Sequence, residues 1–210
     1  MSALEFLSVS TATDDRGFHP LARSCVERRF RDAGATFEER AGWLVPVSVP
    51  GERDRLATVG IADLSHLAKA ELRPAPEAIE GDALLYRISP RRALAIGSTE
   101  AVATATSPLR DTTTIDMTGA LGILAIVGPE AGTAIRRLTH LHDFPKGGEV
   151  AHVTAHVLQV GDRGQSPAGT DPTDAGFWLV FAQELGDYLF EVVVDRAAAL
   201  GGGPIGVDAL

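Results

Sequence analysis

Four adjacent positions, Asp63-Leu64-Ser65-His66, carry the residue types of a hydrolytic triad. An acid, a nucleophile and a base act together only when their side chains converge within hydrogen-bond reach. The surrounding stretch, VGIADLSHLAKAELRP (59–74), reads as two short strands or one bent strand. Successive side chains of an extended chain point to opposite faces, so Ser65 and His66 diverge and a triad is disfavoured. A second group is His140, His142, His152 and His156, with Asp143 beside them. On strands 140 and 142 share a face, as do 152 and 156, and a metal needs imidazoles that converge on one point. No HExxH spacing and no helping cysteine accompanies them, so the cluster reads as half-exposed polar positions and no metal is expected. Cys25, the single cysteine, falls on the apolar side of a predicted helix and reads as a buried structural thiol. GGGPIG (201–206) has no following helix to cradle a phosphate, and VGDRGQSPAG has no GK[ST]; both read as a helix stop and a loop. Phe37, Trp43, Tyr86, Phe177, Trp178 and Tyr188 are the aromatics available to stack a planar ring, and at strand spacing they read as core.

The elements that must position these residues follow from periodicity. Apolar positions 21, 22, 25, 26 and 30 predict a first helix, with Pro20 at its start and Gly34 at its stop. TFEERAGWLVPVSV is extended, broken near Gly42, with Pro46 confining it to an edge or bulge. Residues 51–58 allow one or two helical turns, and PAPEAIEGD is a loop. ALLYRI and ALAIGS form a hairpin through SPRR, and 98–106 look helical. TTTIDMTGALGILAIVG gives two strands with Gly119 and Gly122 at or near the turn. PEAGTAIRRLTHL is the clearest helix, and VAHVTAHVLQV is a strand pair or one long strand. FWLVFA is a strand, and ELGDYLFEVVVDRAAALG is an amphipathic helix ending at GGG. Hairpins among irregularly alternating helices predict an α+β fold with mostly antiparallel sheets, in a β-α-β-β rhythm like a ferredoxin-like unit. Residues 1–19 read as a loose arm, 162–176 as a long polar loop, and 20–210 as a single domain.

Composition bounds the function. The 210 residues are 45% hydrophobic and 22% charged, enough for a normal core. A net charge of −9 without a basic stripe argues against nucleic acid and anionic membrane surfaces. No apolar run reaches the roughly 18 residues of a membrane helix, and the N-terminus does not read as a signal peptide. The expected location is the cytoplasm.

FEERAGWLVPVSV followed by VGIADLSHLAKAELRP resembles the N-terminal part of the glycine cleavage T-protein (aminomethyltransferase) superfamily. Gly60, Asp63, Ser65, His66 and Lys69 match its G-[IL]-x-D-[VL]-S-H-[ML]-x-K pattern; Leu67 replaces the common Met, and Pro74 falls where Gly is usual. TIDMTGALGILAIVGPEAGTAIRRLT, GFWLVFAQELGDYLFEVVVDRAAALG and GPIGVDAL resemble later segments, so the likeness runs from about residue 34 to the end. It implies a folate-binding α+β domain built from ferredoxin-like units. It also implies Asp63, Ser65, His66, Leu67 and Tyr86 as folate-pocket or motif positions. The family's acidic glycine-rich hairpin is compressed here to DALLYRISPRRALAIGS, with Arg91 and Arg92 at the turn. GDRGQSPAGTDPTDAG stands where the family has a pterin-contacting Glu, and the transferases' C-terminal barrel is missing. This pattern looks most like the gamma subunit of heterotetrameric sarcosine oxidase. The implied role is a non-catalytic subunit of an oxidoreductase without an active site of its own. Flavoprotein amine oxidase subunits would be its partners, carrying FAD, FMN, NAD and zinc. Contacts are expected from the arm 1–19, the loop 162–176 and the end 201–210. Tetrahydrofolate remains possible as a ligand; a tetrahydrofolate-dependent aminomethyltransferase and a stand-alone folate-binding protein are the alternatives. On this reading Asp63, Ser65 and His66 fix the bend between two strands and do not catalyse.

Overall fold

A computed structural model describes Gly17, residues 20–161 and residues 176–210. The expected arm 1–19, Gly17 apart, and the expected loop 162–176, Gly176 apart, lie outside the described residues.

The fold stacks two sheets face to face and covers each with helices. The larger sheet has the order β10-β11-β12-β9-β4-β13. Its strands are β4 (Gly60–Asp63), β9 (Leu121–Val127), β10 (Lys146–Val150), β11 (Val153–Val160), β12 (Gly176–Ala182) and β13 (Gly203–Pro204). The second sheet has the order β6-β7-β5-β8 and is antiparallel throughout. It contains β5 (Ala68–Arg73), β6 (Leu84–Ser89), β7 (Arg92–Gly97) and β8 (Thr113–Asp116). A small third sheet, β1-β3-β2, comprises β1 (Ala22–Arg23), β2 (Thr36–Arg40) and β3 (Trp43–Ser48). The helices are α1 (Glu27–Asp32), α2 (Glu52–Leu56), α3 (Thr99–Thr106), α4 (Ala131–Arg136) and α5 (Gly186–Ala198). The expected α+β class with mostly antiparallel sheets is what the chain adopts.

Three apolar layers hold this stack together. Phe30 of α1, Ile135 of α4, and Leu189, Phe190 and Val193 of α5 pack on Leu124, Ile126, Leu179 and Phe181 of the larger sheet. The opposite face of that sheet, with Ile123, Ala125, Leu158, Trp178 and Val180, packs on Leu84, Tyr86, Leu94 and Ile96 of the second sheet. Val102 and Ala105 of α3 close the far side over Ala70, Leu72, Ala93 and Ala95. A strand covered on both faces has no polar side to alternate with, which is why LGILAIV and GFWLVFA read as continuous apolar runs. Each large side chain buried this way contributes about 1.5–3 kcal/mol.

Local expectations fail where tertiary pairing wins. The first helix begins at Glu27, because Ala22 and Arg23 pair in parallel with Trp43 and Leu44. Cys25 therefore sits in the turn before α1, and Gly34 does end the helix at φ +79°. Pro46 lies in β3, opposite Phe37, beside a register shift at Thr36/Phe37; β1 does not reach that far, so its missing N–H disturbs no ladder. The PEAGTAIRRLTHL helix is only six residues long, since the Leu138 carbonyl accepts from Ala151 N–H. The thirteen-residue α5 is the longest helix among the described residues. β8 and β9 are not a hairpin but belong to different sheets. Gly122 lies inside β9, where a Cβ would meet the Phe181 ring at 2.7 Å. VAHVTAHVLQV is part of the β10–β11 hairpin, turned by Ala151 and His152 at φ +48° and +66°. Its loop has two residues with positive φ, the geometry that matches strand twist.

Candidate functional site

The Asp63–Leu67 segment carries the chain from the larger sheet to the second. Asp63 Oδ1 accepts the Ser65 N–H at 2.9 Å, and Leu67 N–H donates to the Leu64 carbonyl at 3.0 Å. This is a turn, not a strand, so the opposite-face argument against Ser65 and His66 does not apply; their bonding decides instead. Ser65 Oγ accepts the Ile123 N–H at 3.1 Å, continuing the β4–β9 ladder with a side chain. Asp63 and Ser65 are both buried, and Asp63 Oδ2 has no hydrogen-bond partner. Ser24 favours the charged carboxylate. Burial outweighs it, Ser65 and Lys69, and raises the Asp63 pKa.

Lys69 is the centre of this turn, and it is fully buried. Its Nζ donates to the Ser65 carbonyl at 2.7 Å. Its backbone N–H donates to Thr118 Oγ1 at 3.0 Å, and its carbonyl accepts from Met117 N–H at 2.8 Å. Thr118 is set by a second turn of the same kind, in which Asp116 Oδ1 accepts the Thr118 N–H at 2.8 Å. Burial pushes the lysine down to about 8, against the pull of Asp63, Cys25 and Asp116. His66, half-buried, is pushed down to about 4 by burial, then by the charges of Lys69 and Arg40, and is neutral near neutral pH. Cys25 is pushed up to about 11, by burial first and Asp63 second; its thiol stays protonated and is a poor nucleophile.

Farther along the same interlayer, Tyr86 Oη lies 3.0 Å from His156 Nδ1, and the two rings meet edge to face at 5.3 Å. Burial lowers the His156 pKa, with Arg92 adding to it, and burial raises that of Tyr86. The neutral pair fits a phenol donating to Nδ1. Tyr86, Leu94 and Glu71 occupy one row across β6, β7 and β5. Glu71 accepts from Arg92 Nε and a terminal guanidinium nitrogen at 2.7 and 3.0 Å, and from Arg73 as well. The bonds from Arg92, and then Arg73, hold Glu71 down at about 2. Arg92 is thus a clamp on a buried carboxylate, not a free basic turn.

The structure brings Asp63 and Ser65 together, with Leu67 and Tyr86 in the apolar layer beside them. It does not gather the four histidines. His140 and His142 are in a loop, His152 is in the hairpin turn 3.4 Å from Glu149, and His156 faces Tyr86. Among the described residues no group of three His, Cys, Asp or Glu is placed to hold a metal. Trp43, Phe177 and Trp178 are buried as expected, whereas Tyr188 is exposed. Sequence reasoning reads Lys69 only as a match to the motif and does not single out Glu71. Alternation in AKAEL assigns them to a solvent face, and only the second layer of sheet reveals that this face is covered.

No family model matches the sequence. The aminomethyltransferase of Mycobacterium avium (strain 104) is 50% identical over 52 residues, 23% of this chain and 14% of that protein. That of Mycobacterium bovis is 43% identical over 76 residues, 32% of this chain and 21% of that protein. The match therefore spans about a seventh to a fifth of the length of these curated relatives. Aminomethyltransferase T of the glycine cleavage system from Bartonella henselae superposes with a TM-score of 0.65 at 17% identity, covering 90% of this chain and 60% of that one. A chain of the heterotetrameric sarcosine oxidase from Corynebacterium sp. U-96 superposes with a TM-score of 0.56 at 12% identity, covering 87% of this chain and 97% of that one. The fold is T-protein-like, as the motif resemblance implies. No helix among the described residues is long and apolar enough to cross a membrane.

Proposed function

We propose that this T-protein-like chain is a non-catalytic subunit of a hetero-oligomeric, secondary-amine-oxidising flavoenzyme of the sarcosine oxidase kind. The observation that carries the reading is the fate of the motif's polar groups. Ser65 Oγ, the Ser65 carbonyl, Lys69 Nζ and Asp63 Oδ1 are all bonded inside the turn that joins the two sheets. A buried group that completes a backbone ladder is not available to a substrate. Nor do the residues present suit a reduced pterin. Asp63 is buried and Glu71 is held by two arginines, so neither carboxylate is offered to a ring N–H. On this reading the flavins and the dinucleotide sit on partner subunits, and this chain acts through its interfaces. The sarcosine oxidase chain, of nearly the same extent, supports the type of assembly.

The test is co-expression with candidate flavoprotein amine oxidase subunits, followed by size-exclusion chromatography with light scattering. The expected result is a stable complex whose partner raises the melting temperature of this chain by mass action. A chain that ignores such partners at micromolar concentration, and transfers an aminomethyl carbon to tetrahydrofolate alone, overturns the reading. That second reading, a folate-dependent aminomethyltransferase, is favoured by one observation: the local identity to aminomethyltransferases. Calorimetry with tetrahydrofolate separates the two. Tight binding by the isolated chain supports the transferase; none supports the subunit.

A further inference from the structure

The outer side of the larger sheet has a cleft of about 550 Å³ between α5 and the connection from α4 to β10. That is within the range of small-molecule sites. In a chain of net charge −9 its lining is basic: Arg137, His140, His152 and Arg196 against one carboxylate, Glu149. The Arg137 side chain has no ion pair or hydrogen bond among the described residues, and neither does that of His140. Glu149 is engaged by His152 at 3.4 Å, and Arg196 by its neighbour Asp195. Beside these side chains lies Tyr188, 44% exposed, the one exposed large apolar side chain among the described residues. Its hydroxyl donates to the Ala151 carbonyl at 2.8 Å, which fixes the ring.

The walls are pre-formed. Ala151 N–H donates to the Leu138 carbonyl at 2.7 Å, Thr139 Oγ1 to the Glu149 carbonyl at 2.5 Å, and Leu141 N–H to Thr139 Oγ1 at 3.1 Å. These bonds stitch the connection to the hairpin, and the hairpin turn itself is held at positive φ by Ala151 and His152. A rigid concave site loses little freedom on binding. An unpaired guanidinium matches a carboxylate through two parallel hydrogen bonds, and an immobilised phenol ring offers a flat face.

We propose that this cleft binds a small organic anion: a flat molecule bearing a carboxylate, its body on Tyr188 and its charge at Arg137. The site lies on the helix-covered side of the larger sheet, away from the Lys69 turn. The proposal does not rest on the subunit reading, since it concerns the isolated chain.

The experiment titrates the full chain with benzene-1,3-dicarboxylate, benzamide and inorganic phosphate by isothermal calorimetry and by protein NMR. The expected result is saturable, one-to-one binding of the dicarboxylate with shifts at Arg137, His140 and Tyr188, and no binding of benzamide. Arg137→Gln and Tyr188→Leu should each weaken it at least about fivefold, with unchanged circular dichroism. Arg137 is an exposed side chain, so its variant keeps the fold and the test keeps its meaning even if Tyr188→Leu is unstable. Absence of saturable binding overturns the proposal, whatever a longer acidic peptide does. So does binding unaffected by Arg137→Gln, or phosphate binding as tightly as the dicarboxylate.

Discussion

Replacing Lys69 by Met keeps an unbranched side chain one atom shorter and removes its charge. In the folded chain the ammonium is buried, with Nζ 2.7 Å from the Ser65 carbonyl and a pKa of about 8, against an ordinary 10.5. At neutral pH the folded state must hold an unfavourably buried charge that the unfolded chain solvates. As pH rises the unfolded chain still binds a proton that the folded chain has released, so stability rises with pH between the two pKa values. The size follows from about 1.4 kcal/mol per pKa unit: roughly 1 kcal/mol from pH 7 to 9, and about 2–3 kcal/mol by pH 10. Met lacks this gain. It also leaves the Ser65 carbonyl without its partner, a cost of about 1–3 kcal/mol that nearly offsets the relief of the buried charge at neutral pH. The absolute stability at one pH is therefore uninformative, and the slope is the readout. Cys25 works in the opposite direction. Its folded pKa is raised to about 11, so it destabilises the fold as the unfolded thiol ionises. Wild type and variant share Cys25 and Tyr86, so their difference reports Lys69 together with its coupling to Cys25. Urea denaturation of both proteins at three pH values from about 7 to 10 should show the stability difference moving toward wild type by about 2 kcal/mol or more. Parallel pH profiles would refute the buried, pKa-depressed lysine.

His66, with a folded pKa of about 4, is destabilising as pH falls from its ordinary 6.5 toward that value, because only the unfolded chain takes up the proton. His66→Gln should remove about 1–3 kcal/mol of that acid sensitivity, read as the urea midpoint at two pH values, and should leave the activity of any assembled complex intact. Glu71 is stabilising above its ordinary 4.5 and loses that contribution as pH falls through about 2. Glu71→Gln should cost roughly 1–2 kcal/mol at neutral pH, discounted for the half-exposed arginines, and flatten the acid limb of the thermal unfolding curve. Asp63→Asn retains the acceptor for Ser65 N–H and removes a carboxylate that burial disfavours, so its melting temperature should equal or exceed wild type. Asp63→Ala should lose about 1 kcal/mol with the turn bond. The native Cys25 thiol should react with a disulfide reagent far more slowly than in the denatured chain, which a colorimetric time course measures.

Much of the fold was legible because burial on both sides leaves a direct trace. LGILAIV and GFWLVFA have no polar face to show, and SPRR marks a hairpin turn. What escaped depends on partners distant in the chain. Ala22 and Arg23 have helix-compatible spacing but bond to β3, about twenty residues on. The α4 helix stops because a hairpin turn claims the Leu138 carbonyl. The motif was found as a pattern, but its bonding was not. Asp63 and Ser65 could be foreseen as a bend, whereas the role of Lys69 needs Thr118 and Asp116, some fifty residues away, to be seen beside it. Period-two alternation assigns Lys69 and Glu71 to water, and it fails because a second sheet lies where water would be.

The two faces of the larger sheet have treated their polar groups differently. On the side shared with the second sheet, Ser65, Lys69 and Glu71 each bond to backbone or to a clamping arginine, and Asp63 Oδ2 and Trp178 Nε1 are left without a partner among the described residues. Such a network rigidifies the join between layers. On the helix-covered side, Arg137 has no partner among the described residues, and Tyr188 keeps 44% of its surface exposed. Recognition draws on unsatisfied hydrogen-bonding capacity and on apolar surface still in contact with water. By both measures the outer cleft keeps capacity to bind, while on the proposed subunit reading the Asp63–Lys69 turn serves as a joint between the sheets, with Asp63 Oδ2 its one unpartnered oxygen.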